Sequence, residues 1–192
     1  NYSSFSLFGR GSQRGDRDTS LFVDTYSGNL TVIATDWNLA ARIPCSISRS
    51  YNYQDSTAGV DRPFGPGWYW QFDMNLTGNM TGSGNVTCKW ADGSEYDFTY
   101  SAGPVWASPA GMHEYKLTFD SGPTPDRYII TFGTIKYIFE VNTTDGVARL
   151  IRIEDAFGNA LNIVRVYATS KPTYEIDKLQ IEYDNSGPTT HD

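Results

Sequence analysis

The sequence predicts an all-β protein whose antiparallel hairpins form a sandwich or an open, curved sheet. Aromatic residues, which favour strands, make up 15% of the 192-residue chain, with 13 Tyr, 10 Phe and 5 Trp. Turn-forming residues are also frequent, at 18 Gly and 9 Pro. Several segments alternate apolar and polar residues, whereas no long segment keeps the helical period of about 3.6 residues. The length fits one domain, with or without a small partner domain.

The beginning of the chain differs in composition from the rest. Phe5, Leu7 and Phe8 form a short apolar segment, and the residues after them are rich in Gly, Arg, Ser and Asp, as linkers are. Extended, such a linker reaches about 40 Å. We therefore expect an extended donor strand and its tether over residues 1–20, ahead of a β-rich module over residues 21–192. The donor strand would add to a sheet edge of another copy of this chain.

The next segment predicts four strands. Gly and Asn tolerate positive φ, so Ser27-Gly28-Asn29 predicts a hairpin turn between two short apolar runs. Residues 41–51 alternate with period two, as a half-buried strand does. Residues 63–68 read PFGPGW, a Pro- and Gly-rich corner that leads into a fourth, aromatic strand.

The order of motifs in this segment resembles the module that opens the shell of Rhs and YD-repeat proteins. The matching residues are Val23, Asp24, Gly28, Asn29, Leu30, Asp36, Leu39, Arg49, Tyr51, Asn52, Phe64, Gly65, Gly67 and Trp68, then Asp92-Gly93-Ser94 with Tyr96 and Phe98. The resemblance covers residues 21–100. It implies a β-rich, non-catalytic segment of a large secreted or exported protein.

Further hairpins are expected downstream, and the last ones contain a short sequence pattern that occurs twice. Arg149-Leu150 followed by Asp155 and Gly158 recurs as Lys178-Leu179 followed by Asp184 and Gly187, at one constant offset. Tyr183-Asp184 supplies the Tyr-Asp pair of a YD repeat. Residues 147–192 are therefore interpreted as YD-like hairpins, with two ordinary hairpins as the alternative.

Two cysteines lie in strands with inward-facing neighbours. Cys45 alternates with Ile43 and Ile47, and Cys88 alternates with Val86 and Trp90. Two core-facing cysteines can meet, and an extracellular protein would oxidise them, so we expect a Cys45–Cys88 disulfide. The alternative is two separate buried thiols.

Asn-x-Ser/Thr sequons indicate a glycosylated, extracellular or cell-surface protein with covalently attached glycans. They lie at Asn1, Asn29, Asn75, Asn79, Asn85 and Asn142. Three of them crowd into the Gly-rich stretch of residues 75–87, which is expected to be an exposed loop. The alternative is that Asn, Ser, Thr and Gly are simply the residues that build loops.

Charge and hydropathy argue against two classes of partner. The net charge of −7 lacks the basic patch that nucleic-acid binding needs. An apolar run long enough to insert into a membrane is also missing from the sequence.

The sequence does not predict an enzyme, a metal site or a cofactor. His113 and His191 cannot assemble a triad or a zinc site, and the pairs Asp24/Asp36 and Glu95/Asp97 resemble a glycosidase pair only as any acidic β-protein would. Asp16, Asp18, Asp55 and Asp61 are candidate calcium ligands, but they lack EF-hand spacing, so solvated loop acids are the preferred interpretation. The adhesion tripeptide at residues 14–16 is attributed to linker composition.

The expected function is that of a structural subunit that assembles head-to-tail into a filament by donating its N-terminal strand. A second hypothesis makes the chain the opening plug or shell segment of a larger Rhs/YD-repeat toxin or adhesin. A third is a glycan-binding module that uses Trp106, the tryptophan expected to be most exposed.

Overall fold

The computed structural model describes residues 4–6, 18–25, 28–39, 43, 45–56, 64–167 and 176–184. Within them it confirms an all-β fold with antiparallel sheets, and the helix described there is a single turn. None of the helical residues described is part of a helix long and apolar enough to cross a membrane.

The chain divides into two compact units. The first contains residues 1–71, 91–93 and 166–177, and the second contains residues 72–90, 94–165 and 178–192. The boundary expected at residue 20 lies within the first unit and stays a prediction.

The first unit is built on a five-stranded sheet in which neighbours in sequence are neighbours in space. Its elements are β1 (Ser4–Ser6), β2 (Asp18–Asp24), β3 (Leu30–Leu39), β4 (Cys45–Asn52), α1 (Tyr53–Ser56) and β5 (Trp68–Trp70). The predicted hairpin between β2 and β3 is present. The amide of Asp24 donates to the carbonyl of Asn29 at 2.9 Å, and Gly28 has φ of 68°, the left-handed backbone that favours glycine.

The second unit is built on a larger sheet. Its strands are β6 (Asn75–Gly78), β7 (Val86–Lys89), β8 (Glu95–Ala102), β9 (Val105–Ala107), β10 (Tyr115–Asp120), β11 (Arg127–Phe132), β12 (Ile135–Asn142), β13 (Val147–Glu154), β14 (Ala160–Tyr167) and β15 (Ile176–Asp184). The strand order is β10-β11-β12-β13-β6-β7-β8-β9, and β14 pairs with both β13 and β15. Most of these pairings are hairpins between consecutive strands.

The core of the second unit follows from period-two alternation. In β7, Val86 and Cys88 are fully buried while Thr87 and Lys89 are only half-buried. The same side of neighbouring strands supplies other side chains that are at most 2% exposed. These include Leu76, Phe98, Leu117, Tyr128, Ile130, Phe139, Leu150 and Leu161.

An arginine ties β14 to backbone elsewhere in the second unit. The guanidinium of Arg165 donates to the carbonyl oxygens of Leu150 and Phe72. Each of these carbonyls accepts a charge-assisted hydrogen bond, a stronger interaction than a bond between neutral groups. Arg165 therefore links β14 to β13 and to the chain that leads into β6.

Candidate functional site

Residues from the resemblance meet in one place, which we call the Arg49 cluster: Asp36, Arg49, Phe64 and Trp68. β3 and β4 pair residue by residue, with Thr35 opposite Ser48 and then Trp37 opposite Ile47. Asp36 is the extra residue at this irregularity, and a bulge of this kind redirects a side chain. Here the irregularity brings the Asp36 carboxylate onto the Arg49 guanidinium.

Arg49 and Asp36 form a two-bond ion pair. The Arg49 Nε donates to Asp36 Oδ2 at 2.5 Å, and Nη2 donates to Oδ1 at 2.8 Å. The side chains are 30% and 28% exposed. The hydrogen bonds to Asp36, assisted by its negative charge and opposed by partial burial, raise the pKa of Arg49 above its ordinary value. The guanidinium is therefore a fixed cation with a matched counter-charge.

Two aromatic rings lie against the same guanidinium. The Arg49 Cζ is 5.4 Å from the ring centroid of Phe64 and 5.4 Å from that of Trp68, within cation–π range. Phe64 in turn meets Trp70 edge-on, and Trp68 meets Tyr51 at a ring distance of 5.3 Å. The cluster thus joins β3, β4 and the turn before β5.

The turn that carries Phe64 explains the Gly-rich corner in the sequence. Gly65 and Gly67 have φ of 95° and 76°, which a residue with a side chain rarely adopts. The Trp68 amide donates to the Gly65 carbonyl at 3.2 Å, and the Asn52 amide donates to the Gly67 carbonyl at 2.8 Å. The corner therefore places two aromatic rings within cation–π distance of Arg49. The Arg49 cluster can hold strands together, because its guanidinium is paired with the Asp36 carboxylate and contacts the rings of Phe64 and Trp68.

A second feature is the sequon loop, residues 78–85 in the second unit. The Tyr128 hydroxyl accepts a hydrogen bond from the Gly82 amide at 3.0 Å and donates to the Asn79 carbonyl at 3.1 Å. Trp106 Nε1 donates to the Gly84 carbonyl at 2.8 Å. Burial is the main reason that the pKa of Tyr128 lies above its ordinary value. A third aromatic side chain also lies close to the loop, because a Cβ added to Gly82 would be 2.5 Å from the Phe119 ring. Tyr128, Trp106 and Phe119 therefore all contact the loop.

This arrangement corrects the expectation for Trp106. The side chain is only 5% exposed and packs edge-on against Tyr100 and Tyr128. A buried indole cannot offer its face to a sugar, so glycan binding through Trp106 is not supported by the structure. The prolines around it indicated an exposed loop, whereas Trp106 lies in the short strand β9.

Cys88, one half of the predicted disulfide, is a free cysteine with a fully buried side chain in the structure. The pairing with Cys45 stays a prediction. Burial raises the pKa of the Cys88 thiol to about 12. Cys45 begins β4, and its side chain lies outside the described residues. Inward alternation was the right signal for the burial of Cys88, but it could not show which side chain lies opposite.

The N-terminal strand pairs within its own chain. β1 is antiparallel to β2, with Phe5 opposite Val23. In the structure β1 therefore lies at the edge of its own chain's sheet, and donation of this strand to another copy stays a prediction. Leu7 and Phe8, the other two residues of the predicted assembly strand, lie outside the described residues.

The sequon asparagines differ in their surroundings. Asn79 and Asn85 are exposed, while Asn29, Asn75 and Asn142 are half-buried and Asn1 lies outside the described residues. Asn75 is within β6, and its Nδ2 donates to the Asp73 carbonyl at 3.1 Å.

The carboxylates considered for catalysis have partners. Asp36 is paired with Arg49, Asp97 accepts from the Thr87 hydroxyl at 2.7 Å, and Glu95 lies 3.2 Å from the Lys89 ammonium. Within the described part of the chain, no group of three or more His, Cys, Asp or Glu could hold a metal ion. Of the residues weighed for calcium, Asp16 and Asp61 lie outside that part, and the side chains of Asp18 and Asp55 are not described.

The structure does not bring the two histidines into a site among the residues it describes. The interpretation of the adhesion tripeptide as linker sequence stays a prediction. His113 is exposed in the connection before β10. His191 and residues 14–16 lie outside the described residues.

The C-terminal hairpins contain a well-ordered turn. Asp155 Oδ1 accepts hydrogen bonds from the amides of Phe157 and Asn159, both at 2.9 Å, and Oδ2 accepts from the Asn159 side chain at 2.7 Å. Gly158 has φ of 81°. This turn connects β13 to β14, as the sequence predicts for Asp155 and Gly158.

One arginine links three strands beyond that turn. Arg152 of β13 donates from Nη1 to Asn162 Oδ1 at 2.8 Å and to Asp184 Oδ2 at 3.1 Å. Asn162 lies in β14 and Asp184 ends β15. The aspartate of the predicted Tyr-Asp pair is therefore part of an ion pair across the hairpins.

Part of the chain is similar to a known family. Residues 22–98 match the family model described as Domain of unknown function (DUF6531). No curated protein matches the chain. The match covers about two fifths of the sequence and contains the whole Arg49 cluster. Over residues 22–98, this chain is similar to a domain of unknown function.

Proposed function

We propose that this chain is a non-catalytic structural module that opens a larger β-shell of repeated hairpins, of the Rhs/YD-repeat type, in a secreted or exported protein. The observation that carries the proposal is the spacing of β13 and β15. β13 begins at Val147 and β15 begins at Ile176, so the two strands start at the same offset as the repeated sequence pattern.

The residues of the repeated pattern occupy equivalent places in the two strands. Arg149-Leu150 and Lys178-Leu179 are each the third and fourth residues of their strand, and Asp155 and Asp184 lie at the strand ends. Both strands are neighbours of β14 in one sheet. A unit that repeats in sequence and in sheet position is how solenoid-like β-structures extend.

The match over residues 22–98 supports the first half of the proposal. It spans the same stretch as the motif series that resembles the module preceding YD repeats. The Arg49 cluster suits a structural role, because an ion pair covered by rings joins strands and offers no free nucleophile or base.

Imaging and mass measurement of the natural protein test this proposal. The shell function predicts a protein much longer than 192 residues that forms discrete, closed particles in negative-stain electron microscopy. Natural protein of this length that stays monomeric would overturn it.

Filaments would point instead to strand donation, the function expected first from the sequence. A deletion of residues 1–14 separates the two outcomes. Strand donation predicts that the deletion abolishes filaments, whereas a shell particle keeps its closed form because its hairpins lie in the second unit. The matched control is the full chain, purified and imaged at the same concentration.

A further inference from the structure

We propose that Asn79 and Asn142 are the principal N-glycan attachment sites of this chain, and that Asn75 carries no glycan. The sequence alone treats all six sequons as equal. The structure separates them by the partners of the side-chain amide, and the inference does not depend on the shell function.

A glycan is attached through the asparagine Nδ2, so a folded protein must leave this atom open to solvent. The oxygen of the same amide, Oδ1, is free to accept a hydrogen bond. When Oδ1 accepts from the backbone of its own turn, the side chain is held against that turn. Nδ2 is then free of the local backbone and can carry a bulky substituent.

Asn79 has this arrangement. Its Oδ1 accepts from the amide of Thr81 at 3.2 Å and from the Thr81 hydroxyl at 2.5 Å, and Thr81 is the third residue of the same sequon. Both residues are exposed. The Tyr128 hydroxyl binds the backbone of the same loop, because it accepts from the Gly82 amide and donates to the Asn79 carbonyl. The loop is thus anchored through its backbone while the sequon side chains remain outside.

Gly84 provides space beside the Asn79 amide. A Cβ at position 84 would lie 3.0 Å from Asn79 Nδ2 and 2.9 Å from Asn79 Cβ. Glycine places no carbon there, and its φ of 93° also disfavours other residues. A substituent on Nδ2 therefore has room that any other residue at position 84 would restrict.

Asn142 repeats the arrangement at a separate hairpin. Its Oδ1 accepts from the amide of Thr144 at 2.8 Å, and Thr144 is again the third residue of the sequon. Thr143 and Thr144 are exposed in the turn between β12 and β13. The recurrence of one side-chain geometry at two unrelated turns is the observation that distinguishes these two sequons.

The remaining described sequons use their amides elsewhere. Asn75 Nδ2, the atom that would carry the sugar, donates to the Asp73 carbonyl, and β6 is paired on both sides by β7 and β13. A glycan there would compete with the hydrogen bond from Nδ2 to the Asp73 carbonyl. Asn85 Oδ1 accepts from the Tyr100 amide at 3.0 Å, and Asn29 Oδ1 accepts from the Gln54 amide at 3.1 Å. These two side chains are directed towards other segments, so we expect lower occupancy at both.

Site-resolved peptide mass spectrometry of the natural protein tests the inference. Enzymatic removal of N-glycans in heavy-oxygen water marks each occupied asparagine by a mass shift. We expect the highest occupancy at Asn79 and Asn142, less at Asn85 and Asn29, and none at Asn75. Occupancy at Asn75 equal to that at Asn79, or a chain with no glycan on either proposed site, would overturn the inference.

Matched variants check that the signal comes from these sequons. Thr81→Val removes the sequon and should abolish one glycan, whereas Thr81→Ser keeps the hydroxyl and should retain it. Thr144→Val and Thr144→Ser form the corresponding pair at the second site. Each Val variant of the chain, secreted from a eukaryotic cell, should run faster in gel electrophoresis by one glycan. A secreted Val variant with unchanged mobility counts against its site, and the secreted yield of the Ser variant controls for folding.

Discussion

Replacement of Arg49 should destabilise the first unit more than replacement of an ordinary surface arginine. Arg49 makes two charge-assisted hydrogen bonds to Asp36 and contacts the rings of Phe64 and Trp68. For a half-buried two-bond pair we expect a coupling of about 1–2 kcal/mol, between the values typical of exposed and of buried pairs. Each ring contact adds about 0.5–1 kcal/mol. The loss for Arg49→Ala is therefore about 2–4 kcal/mol.

Arg49→Lys isolates the geometry from the charge. Lysine keeps the positive charge but has no planar fork to bond both carboxylate oxygens or to lie flat against a ring, so about half of the loss should remain. The control is Arg149→Lys in the second unit. Arg149 also makes two hydrogen bonds to a carboxylate, that of Asp145, with a similar side-chain exposure of 25%.

The assay is urea unfolding of the full chain, monitored by tryptophan fluorescence and by circular dichroism. A double-mutant cycle with Asp36→Asn extracts the coupling between the two charges. If Arg49→Ala costs less than about 0.5 kcal/mol, as substitutions of ordinary surface residues do, the cluster does not stabilise the fold and the reasoning fails.

Three further predictions follow from single contacts. Gly93→Ala should lower the unfolding free energy by about 2–4 kcal/mol more than Gly103→Ala. Both glycines have positive φ, but only a Cβ at position 93 would meet a buried ring, that of Tyr69 at 2.6 Å. Equal losses of the two variants in urea unfolding would refute the clash. In a variant that lacks the other cysteine, Cys88 should resist a thiol reagent at pH 8, since a pKa of about 12 leaves about one thiol in ten thousand ionised. It should react once the chain is unfolded, and labelling of the folded protein at the unfolded rate would contradict its burial. Hydrogen bonds from Arg149 lower the pKa of Asp145 below its ordinary value of 3.8, so the ion pair stabilises the fold above that pH and this contribution is lost as pH falls through the folded-state pKa. The stability difference between wild type and Asp145→Asn should therefore shrink in acid. A difference that is constant from pH 7 to pH 2 would argue against the pair.

Much of the fold could be predicted from local pattern. Period-two alternation indicates β7 with Val86 and Cys88 inside, and the Gly-containing turns at residues 28, 93 and 133 mark hairpins that the structure contains. These features depend on residues close in sequence, so a single segment carries the information. The all-β class followed for the same reason.

Long-range pairing was less predictable. The place of β6 between β7 and β13 joins strands far apart in sequence, and no local motif records it. The same limit applies to Cys88, because its burial follows from local alternation whereas a disulfide depends on a partner far away in the sequence. Trp106 shows a different limit, because its burial depends on Tyr128 and Gly84 and not on the prolines beside it.

The Arg49 cluster lies between these cases. The residue types and their order indicated a common module, but the meeting of Asp36 with Arg49 depends on an irregularity between β3 and β4. One extra residue in a strand changes which side chains meet, and the sequence gives no distinct sign of it. The ring contacts then follow from the corner at residues 64–67.

The Arg165 contacts have a consequence for how related sequences can diverge. Its two acceptors are main-chain carbonyls at positions 150 and 72, and every amino acid offers such an oxygen. Mutations that replace Leu150 or Phe72 by another apolar side chain of similar size therefore leave both bonds intact. Arg165 has no such freedom, because no other side chain presents two fixed donors across that distance. The two hydrogen bonds therefore restrict the residue type at position 165 only, whereas the restriction at positions 72 and 150 comes from the full burial of their side chains.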